Sequence, residues 1–259
     1  MVGPQSWAAR LSHVFRRSRA GLVDLVYPPQ CVACGAITAE PATLCASCWR
    51  NMPFITRPFC ERLGTPFATD IGGLLLSPAA IADPPVFGRA RAVAHHNGAA
   101  RELVHKLKYN DRQELAVAMA SMMARAAGEV IADASVIVPI PLHWTRLWQR
   151  RFNQAAALAN QLGHYTGLPV EPVYLRRRKR TRMQVGLTRA QRQDNLQGAF
   201  IVPEEVKPAL KGQHVLLVDD VMTTSATGNA AARILLRGGA ASVDIVTFAR
   251  VVSTNDFVQ

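Results

Sequence analysis

Over the last two thirds of the chain, nearly unbroken apolar runs alternate with stretches of helical period. SVIVPIP at 135–141, HVLLVDD at 214–220 and SVDIVTFARVV at 242–252 have the length and β-branched content of strands buried on both faces. Between and before them the periodicity predicts helices around 99–127, 152–166 and 226–237. This order predicts an α/β fold, a mostly parallel sheet flanked by helices. Nearer the N-terminus, Trp7, Leu11, Val14, Phe15, Leu22 and Leu25 share one face of a helix that Pro28 and Pro29 close. Docking on protein is the expectation for it, ahead of the membrane-surface role that Arg16, Arg17 and Arg19 would suit. Pro66, Pro78, Pro84 and Pro85 mark the stretch from Gly64 to Gly88 as a boundary or linker. The expected organisation is a docking helix over 1–27, a cysteine-bearing module over 28–67, a linker over 68–88 and the α/β domain over 89–259. No internal repeat is evident.

The cysteines change the picture of the front of the chain. Cys31 with Cys34 and Cys45 with Cys48 form two CxxC pairs separated by ten residues. Two such knuckles set four thiolates tetrahedrally around one zinc ion, a staple for a segment with little core of its own. A pair of disulfides is the competing reading, and the absence of an export signal favours metal. A closed set of four ligands implies a structural site, because catalytic zinc keeps a position open for water. Cys60 stands apart, as a small packed side chain or as a spare ligand or reactive thiol.

The 259 residues are 49% apolar and 19% charged, with no low-complexity segment and no apolar run long enough to span a bilayer. That excludes a disordered or membrane-spanning class and makes the cytoplasm the expected compartment. Thirty Lys and Arg against 18 Asp and Glu give a formal charge of +12, which favours polyanionic partners, either nucleic acid or a phosphorylated small molecule.

The run VLLVDDVMTTSAT at 215–227 narrows that choice. Four apolar residues, two carboxylates, a short turn and a cluster of hydroxyls entering a helix follow one another directly. Asp219 and Asp220, at the carboxyl end of a strand, suit the vicinal hydroxyls of a ribose. Thr223, Thr224, Ser225 and Thr227, with the backbone through Ala226, set hydroxyl and N–H donors at a helix N-terminus, where phosphate binds. Either half alone reads as a strand end or a helix cap; together they predict a phosphoribose site. Two further stretches are strongly basic. Pro139 and Pro141 break a strand into a turn with His143, Arg146, Arg150 and Arg151, and six cations fall among the seven residues 176–182. The first would feed cations toward the edge that carries Asp219; the second repels itself until an anion arrives.

The 215–227 run resembles the signature of type I phosphoribosyltransferases, and the wider chain resembles the ComF family of competence-related proteins. The likeness extends to YPPQC before the cysteines, LVHKLKYNDR at 103–112, VPIPLHWTRLWQRRFNQAAALA at 138–159, and Gln184, Leu187, Arg192 and Asn195. It implies a zinc finger joined to a phosphoribosyltransferase domain that binds phosphoribosyl pyrophosphate with magnesium. It further implies a pyrophosphate loop with Pro139, Pro141, His143 and Arg146 and a flexible lid with Arg177, Lys179, Thr181 and Gln184. The partners it implies are single-stranded DNA and competence or recombination proteins. Two functions follow, a phosphoribosyl transfer enzyme and a DNA-processing component that keeps the fold for binding or assembly. The chain departs from the family pattern at Ser225, where glycine is usual, at Leu63, where a further CxxC would place cysteine, and at His96, where tyrosine is common.

Overall fold

The computed structural model describes residues 27–70, 72–109, 113–142, 152–178 and 198–252. The helix expected over 7–26 therefore lies outside the described residues. The chain divides into two compact units, Met1–Arg50 and Asn51–Gln259. The described part of the first holds the four clustered cysteines and a short helix, α1 (Ala46–Arg50).

The second unit is built on four parallel strands. β1 (Ala90–His95), β2 (Val136–Pro139), β5 (His214–Met222) and β6 (Ser242–Arg250) lie in the order β1-β6-β5-β2. β5 and β6 are the inner strands, and eight of the nine residues of β6 are buried, Asp244, Thr247 and Arg250 among them. β1 was not legible as a strand because Arg91 interrupts its apolar run. Arg91 is nonetheless 2% exposed, paired to Glu129 and, at 2.7 Å, to Glu61, with its guanidinium over the Phe59 ring. A buried charge is tolerable when it is paired and hydrogen-bonded on several sides.

The stretch expected as one helix around 99–127 is two. α3 (Gly98–Tyr109) and α4 (Gln113–Ala126) flank the turn-favouring pair Asn110 and Asp111 in sequence. α3 buries Ala100, Leu103, Val104 and Leu107, the i, i+3, i+4, i+7 stripe of an amphipathic helix. α5 (Gly128–Ala132) leads to β2, and α6 (Gln154–Thr166) follows it. A two-residue antiparallel pair, β3 (Arg176–Arg177) with β4 (Phe200–Ile201), and α7 (Lys207–Leu210) precede β5. α8 (Ala226–Arg237) joins β5 to β6.

Residues 51–88 pack within this second unit. The segment around Phe54 runs antiparallel to β1, with the Ile55 N–H donating to Val93 O at 2.9 Å and the His95 N–H to Pro53 O at 2.9 Å. That covers the open edge of the sheet, which would otherwise expose a row of free backbone groups. The proline-rich stretch contains α2 (Pro78–Ala82), capped by Ser77, whose hydroxyl oxygen accepts from the Ala80 N–H. Cys60, Leu63, Ala80 and Phe87 belong to one hydrophobic cluster with residues of β2, β5 and β6.

Candidate functional site

The four cysteines of the two CxxC pairs come together as expected. Their sulfurs all lie within 4.8 Å of one another, and Cys34 Sγ stands 3.7 Å from Cys45 Sγ. That separation is far beyond a disulfide bond of about 2.05 Å. It matches the roughly 3.8 Å between sulfurs set tetrahedrally at about 2.3 Å from one zinc ion. The protonation equilibria point the same way. Burial raises the Cys31 thiol, but N–H and S–H donors from Cys45, Cys34 and Ala33 outweigh it and bring the group down to about 6. Burial, together with the sulfurs of Cys34, Cys45 and Cys31, pushes Cys48 far up. Four thiolates cannot crowd together without a cation, and zinc is the cation such a set fits.

The described residues between 58 and 80 repeat the ribbon of 29–48 without its full set of ligands. The Cys31 N–H donates to Ala36 O and the Gly35 N–H to Cys31 O, and the Cys60 N–H donates to Thr65 O and the Gly64 N–H to Cys60 O. Thr38 N–H to Pro29 O is matched by Phe67 N–H to Pro58 O, and the bridge Gln30 to Ile37 by Phe59 to Pro66. The displacement is 29 residues through this turn and 32 beyond it, where Val32 N–H to Thr43 O is matched by Glu61 N–H to Leu75 O and the helix after Cys45 by α2 after Ser77. Cys31, Cys34, Cys45 and Cys48 therefore correspond to Cys60, Leu63, Ser77 and Ala80. The repeat is hidden in the sequence because three of its four ligands are gone. PxC followed four residues later by glycine, at 29–35 and again at 58–64, is the signal that reveals it. Gly35 and Gly64 both adopt positive φ, +79° and +65°, which that turn demands. Cys60 is fully buried, its sulfur accepting from the Leu63 N–H at 3.4 Å and the Ser77 N–H at 3.3 Å. It is thus a packed, hydrogen-bonded residue rather than a metal ligand.

At the carboxyl edge of the sheet, parallel pairing brings the ends of β2 and β5 side by side. Pro139 is in register with Val218, and the Ile140 N–H donates to Val218 O at 2.9 Å. Asp219 therefore stands one step beyond Pro139, with Pro141 just past it. β5 continues through Met222, two residues beyond the run expected at 214–220, and both carboxylates ride on strand as expected. Asp219 and Asp220 are partly buried, and Asp219 Oδ1 accepts the Asp220 N–H at 2.9 Å. Removal from water, and then the neighbouring Asp220 charge, hold the Asp219 carboxyl well above the usual carboxylate range. The pair thus resists carrying two negative charges and suits the hydroxyl donors of a ribose.

Thr223, Thr224 and Ser225 form the turn into α8, which Ala226 and Thr227 begin. Ser225 sits at the cap position but makes no side-chain cap hydrogen bond, and Thr224 Oγ1 is buried with no partner. Orphaned buried hydroxyls are costly, so this one marks the turn as built for a further polar group. Gly228, buried in the first turn of α8, lets the helix approach β6: a Cβ there would meet Ile245 Cδ1 at 2.4 Å. From the basic stretches, Arg177 reaches this edge, its Nη1 donating to Pro141 O at 3.4 Å while its guanidinium lies 5.3 Å from the Phe200 ring centroid. His143, Arg146, Lys179, Thr181 and Gln184 lie outside the described residues.

A four-thiol ribbon ahead of a parallel sheet with an acid pair and hydroxyl turn at its carboxyl edge defines a zinc-ribbon protein of phosphoribosyltransferase type. Residues 22–79 match the double zinc ribbon domain and residues 152–258 the phosphoribosyl transferase domain. The "DNA utilization protein YhgH" of Salmonella typhi is 33% identical over 176 residues, 65% of this chain and 75% of that protein. The "Competence protein F" of Haemophilus influenzae is 25% identical over 230 residues, 85% of this chain and 96% of that protein. The chain belongs to the ComF family. Among solved structures, glutamine phosphoribosylpyrophosphate amidotransferase from B. subtilis, complexed with ADP and GMP, is similar at 18% identity and a TM-score of 0.38. That likeness covers 56% of this chain and 30% of the amidotransferase. Among the described residues no helix is long and apolar enough to cross a membrane.

Proposed function

We propose that the chain binds phosphoribosyl pyrophosphate at the carboxyl edge of β5 and serves DNA uptake or utilization, the setting its relatives' names indicate. The observation that carries the reading is the order Asp219, Asp220, then Thr223–Thr227, a hydroxyl-accepting pair one turn from a phosphate cradle whose Thr224 hydroxyl lacks a partner. The ribose hydroxyls would donate to the carboxylates, and the 5′-phosphate would accept from the turn's hydroxyls and the N-terminus of α8. Magnesium would enter with the diphosphate, an all-oxygen setting that suits a hard cation, and supplies charge neutralisation as the diphosphate departs. Arg177, whose Nη1 donates to Pro141 O, would be a cation for the diphosphate.

The test is calorimetric titration of the zinc-loaded chain with phosphoribosyl pyrophosphate and magnesium, beside an Asp219→Asn, Asp220→Asn variant. Saturable binding that disappears in the variant is the expected result; a folded wild type that takes up no heat overturns the reading. A second reading, a single-stranded DNA-binding component without turnover, draws on the charge of +12 and on the cation run beginning at Arg176 and Arg177. It requires tight DNA binding that weakens steeply with salt and persists in the double Asn variant.

A further inference from the structure

The acid pair is met from the far side by a cation that the phosphoribose motif does not include. Lys108, in the last turn of α3, places Nζ 2.7 Å from Asp220 Oδ2. It reaches there because it flanks the buried stripe of α3, four residues after Val104 and one after Leu107. Both partners are largely enclosed, with side-chain exposures of 21% for Lys108 and 14% for Asp220. The contact is close but poorly aligned: Oδ2 is buried and receives no directed hydrogen bond despite the short distance. An ion pair of that kind is given up readily when better-placed donors arrive.

The local charge balance shows what would arrive. Burial and then the neighbouring Asp220 charge hold the Asp219 carboxyl up, and the carboxylate in contact with a cation here is Asp220. Lys108 faces it, and Lys108 and Arg101 both depress His96, adding to the effect of burial, while Asp220 opposes them. Once ribose hydroxyls engage Asp220, Lys108 is left with a charge to satisfy in a largely enclosed position, and the anion nearest a ribose held on Asp220 is the diphosphate at its anomeric carbon.

We propose that Lys108 is a ligand-contacting residue of this site, holding Asp220 when the site is empty and turning to the diphosphate when ribose hydroxyls take over that carboxylate. The inference rests on the phosphoribosyl pyrophosphate reading above. A lysine ammonium carries three donors on a flexible stem, so it can keep a contact to the carboxylate while adding one to the ligand.

The experiment titrates the zinc-loaded wild type, K108Q and K108R with phosphoribosyl pyrophosphate and, separately, with ribose 5-phosphate, which lacks the diphosphate, both with magnesium. K108Q is expected to weaken phosphoribosyl pyrophosphate by about tenfold to a hundredfold, the loss of one charge-assisted contact, and ribose 5-phosphate by no more than about threefold. K108R is expected to recover most of the difference. Equal weakening of both ligands would make Lys108 a prop for Asp220 alone and overturn the inference, as would unchanged binding in K108Q. A wild type that binds neither ligand removes the underlying reading and the inference with it, whereas a binding wild type with an indifferent K108Q removes the inference alone. Should K108Q lose its cooperative unfolding transition, 13C-methylated lysine resonances of the wild type, with Lys108 assigned through K108R, decide the same point. The Lys108 signal must shift with phosphoribosyl pyrophosphate and not with ribose 5-phosphate, and an unmoved signal overturns the proposal.

Discussion

Gly228 tests whether the close approach of α8 to the sheet is what sets the hydroxyl turn in place. It lies three residues past Ser225, and a Cβ there would stand 2.4 Å from Ile245 Cδ1 and 3.4 and 3.5 Å from two carbons of the Phe87 ring. Carbon atoms settle at about 3.5–4.0 Å, so the Phe87 contacts are tolerable and the overlap with Ile245 exceeds about 1 Å. Ile245 is 1% exposed and packed on β6, so either it leaves its rotamer or α8 lifts and carries Thr223–Thr227 with it. Overpacking of this kind costs about 1–3 kcal/mol, and alanine returns about 1 kcal/mol of helix propensity. Gly228→Ala is therefore expected to lose about 1 kcal/mol of stability and, through displacement of the turn, about tenfold to a hundredfold in ligand affinity. Ile245→Val removes the very atom that clashes. Alone it costs about 0.5–1.5 kcal/mol; combined with Gly228→Ala it is expected to restore binding, with a favourable coupling of about 1 kcal/mol. Urea unfolding midpoints of the four chains, with phosphoribosyl pyrophosphate titrations of each, measure both quantities. Costs that simply add within about 0.3 kcal/mol, or a Gly228→Ala chain that binds like the wild type, would refute this account of the turn.

Metal analysis of the purified chain is expected to give one zinc per molecule, lost on Cys45→Ser, because the second knuckle keeps one of its four ligands. Restoring the set with Leu63→Cys, Ser77→Cys and Ala80→Cys should raise the content to two, and a content that stays at one would show the correspondence of the two knuckles to be superficial. Asp219 makes stability depend on pH in a definite direction. Its carboxyl is raised in the folded chain, so between the ordinary carboxylate range, about 4, and the folded value the native state holds a proton that the unfolded state has released. Its contribution is fully present below about pH 4 and declines as pH rises. Asp219→Asn should flatten the fall of unfolding midpoint as pH rises above about 4, and a variant with a slope as steep as the wild type would assign that fall to other groups.

What was legible in the sequence was local. The strand, acid pair, hydroxyl turn and α8 are contiguous over 215–237, and each is dictated by its neighbours: an apolar run buried on both sides, then residues that favour caps, then a helix. The two CxxC pairs are legible for the same reason, since ligand chemistry and spacing lie within one short stretch. The second knuckle shows the limit of that reasoning. Its hydrogen bonds repeat those of the first, but its ligands have been replaced, and only backbone geometry still carries the likeness.

The remainder was decided by residues far apart in the chain. Arg91 reads as a break in a strand until Glu61 and Glu129 close around it, and only then can β1 take its place in the sheet. Lys108 lies in LVHKLKYNDR with no role readable from its neighbours, and the packing of α3 sets it 2.7 Å from Asp220, 112 residues later. Pro139 and Asp219 meet because β2 and β5 pair in parallel, which aligns their carboxyl ends at one edge. By itself the sequence determined which short segments carry chemistry, because spacing and propensity act over a few residues. The tertiary structure alone decided which of those segments share a site and which charges face one another, because burial and strand register are set by the whole core.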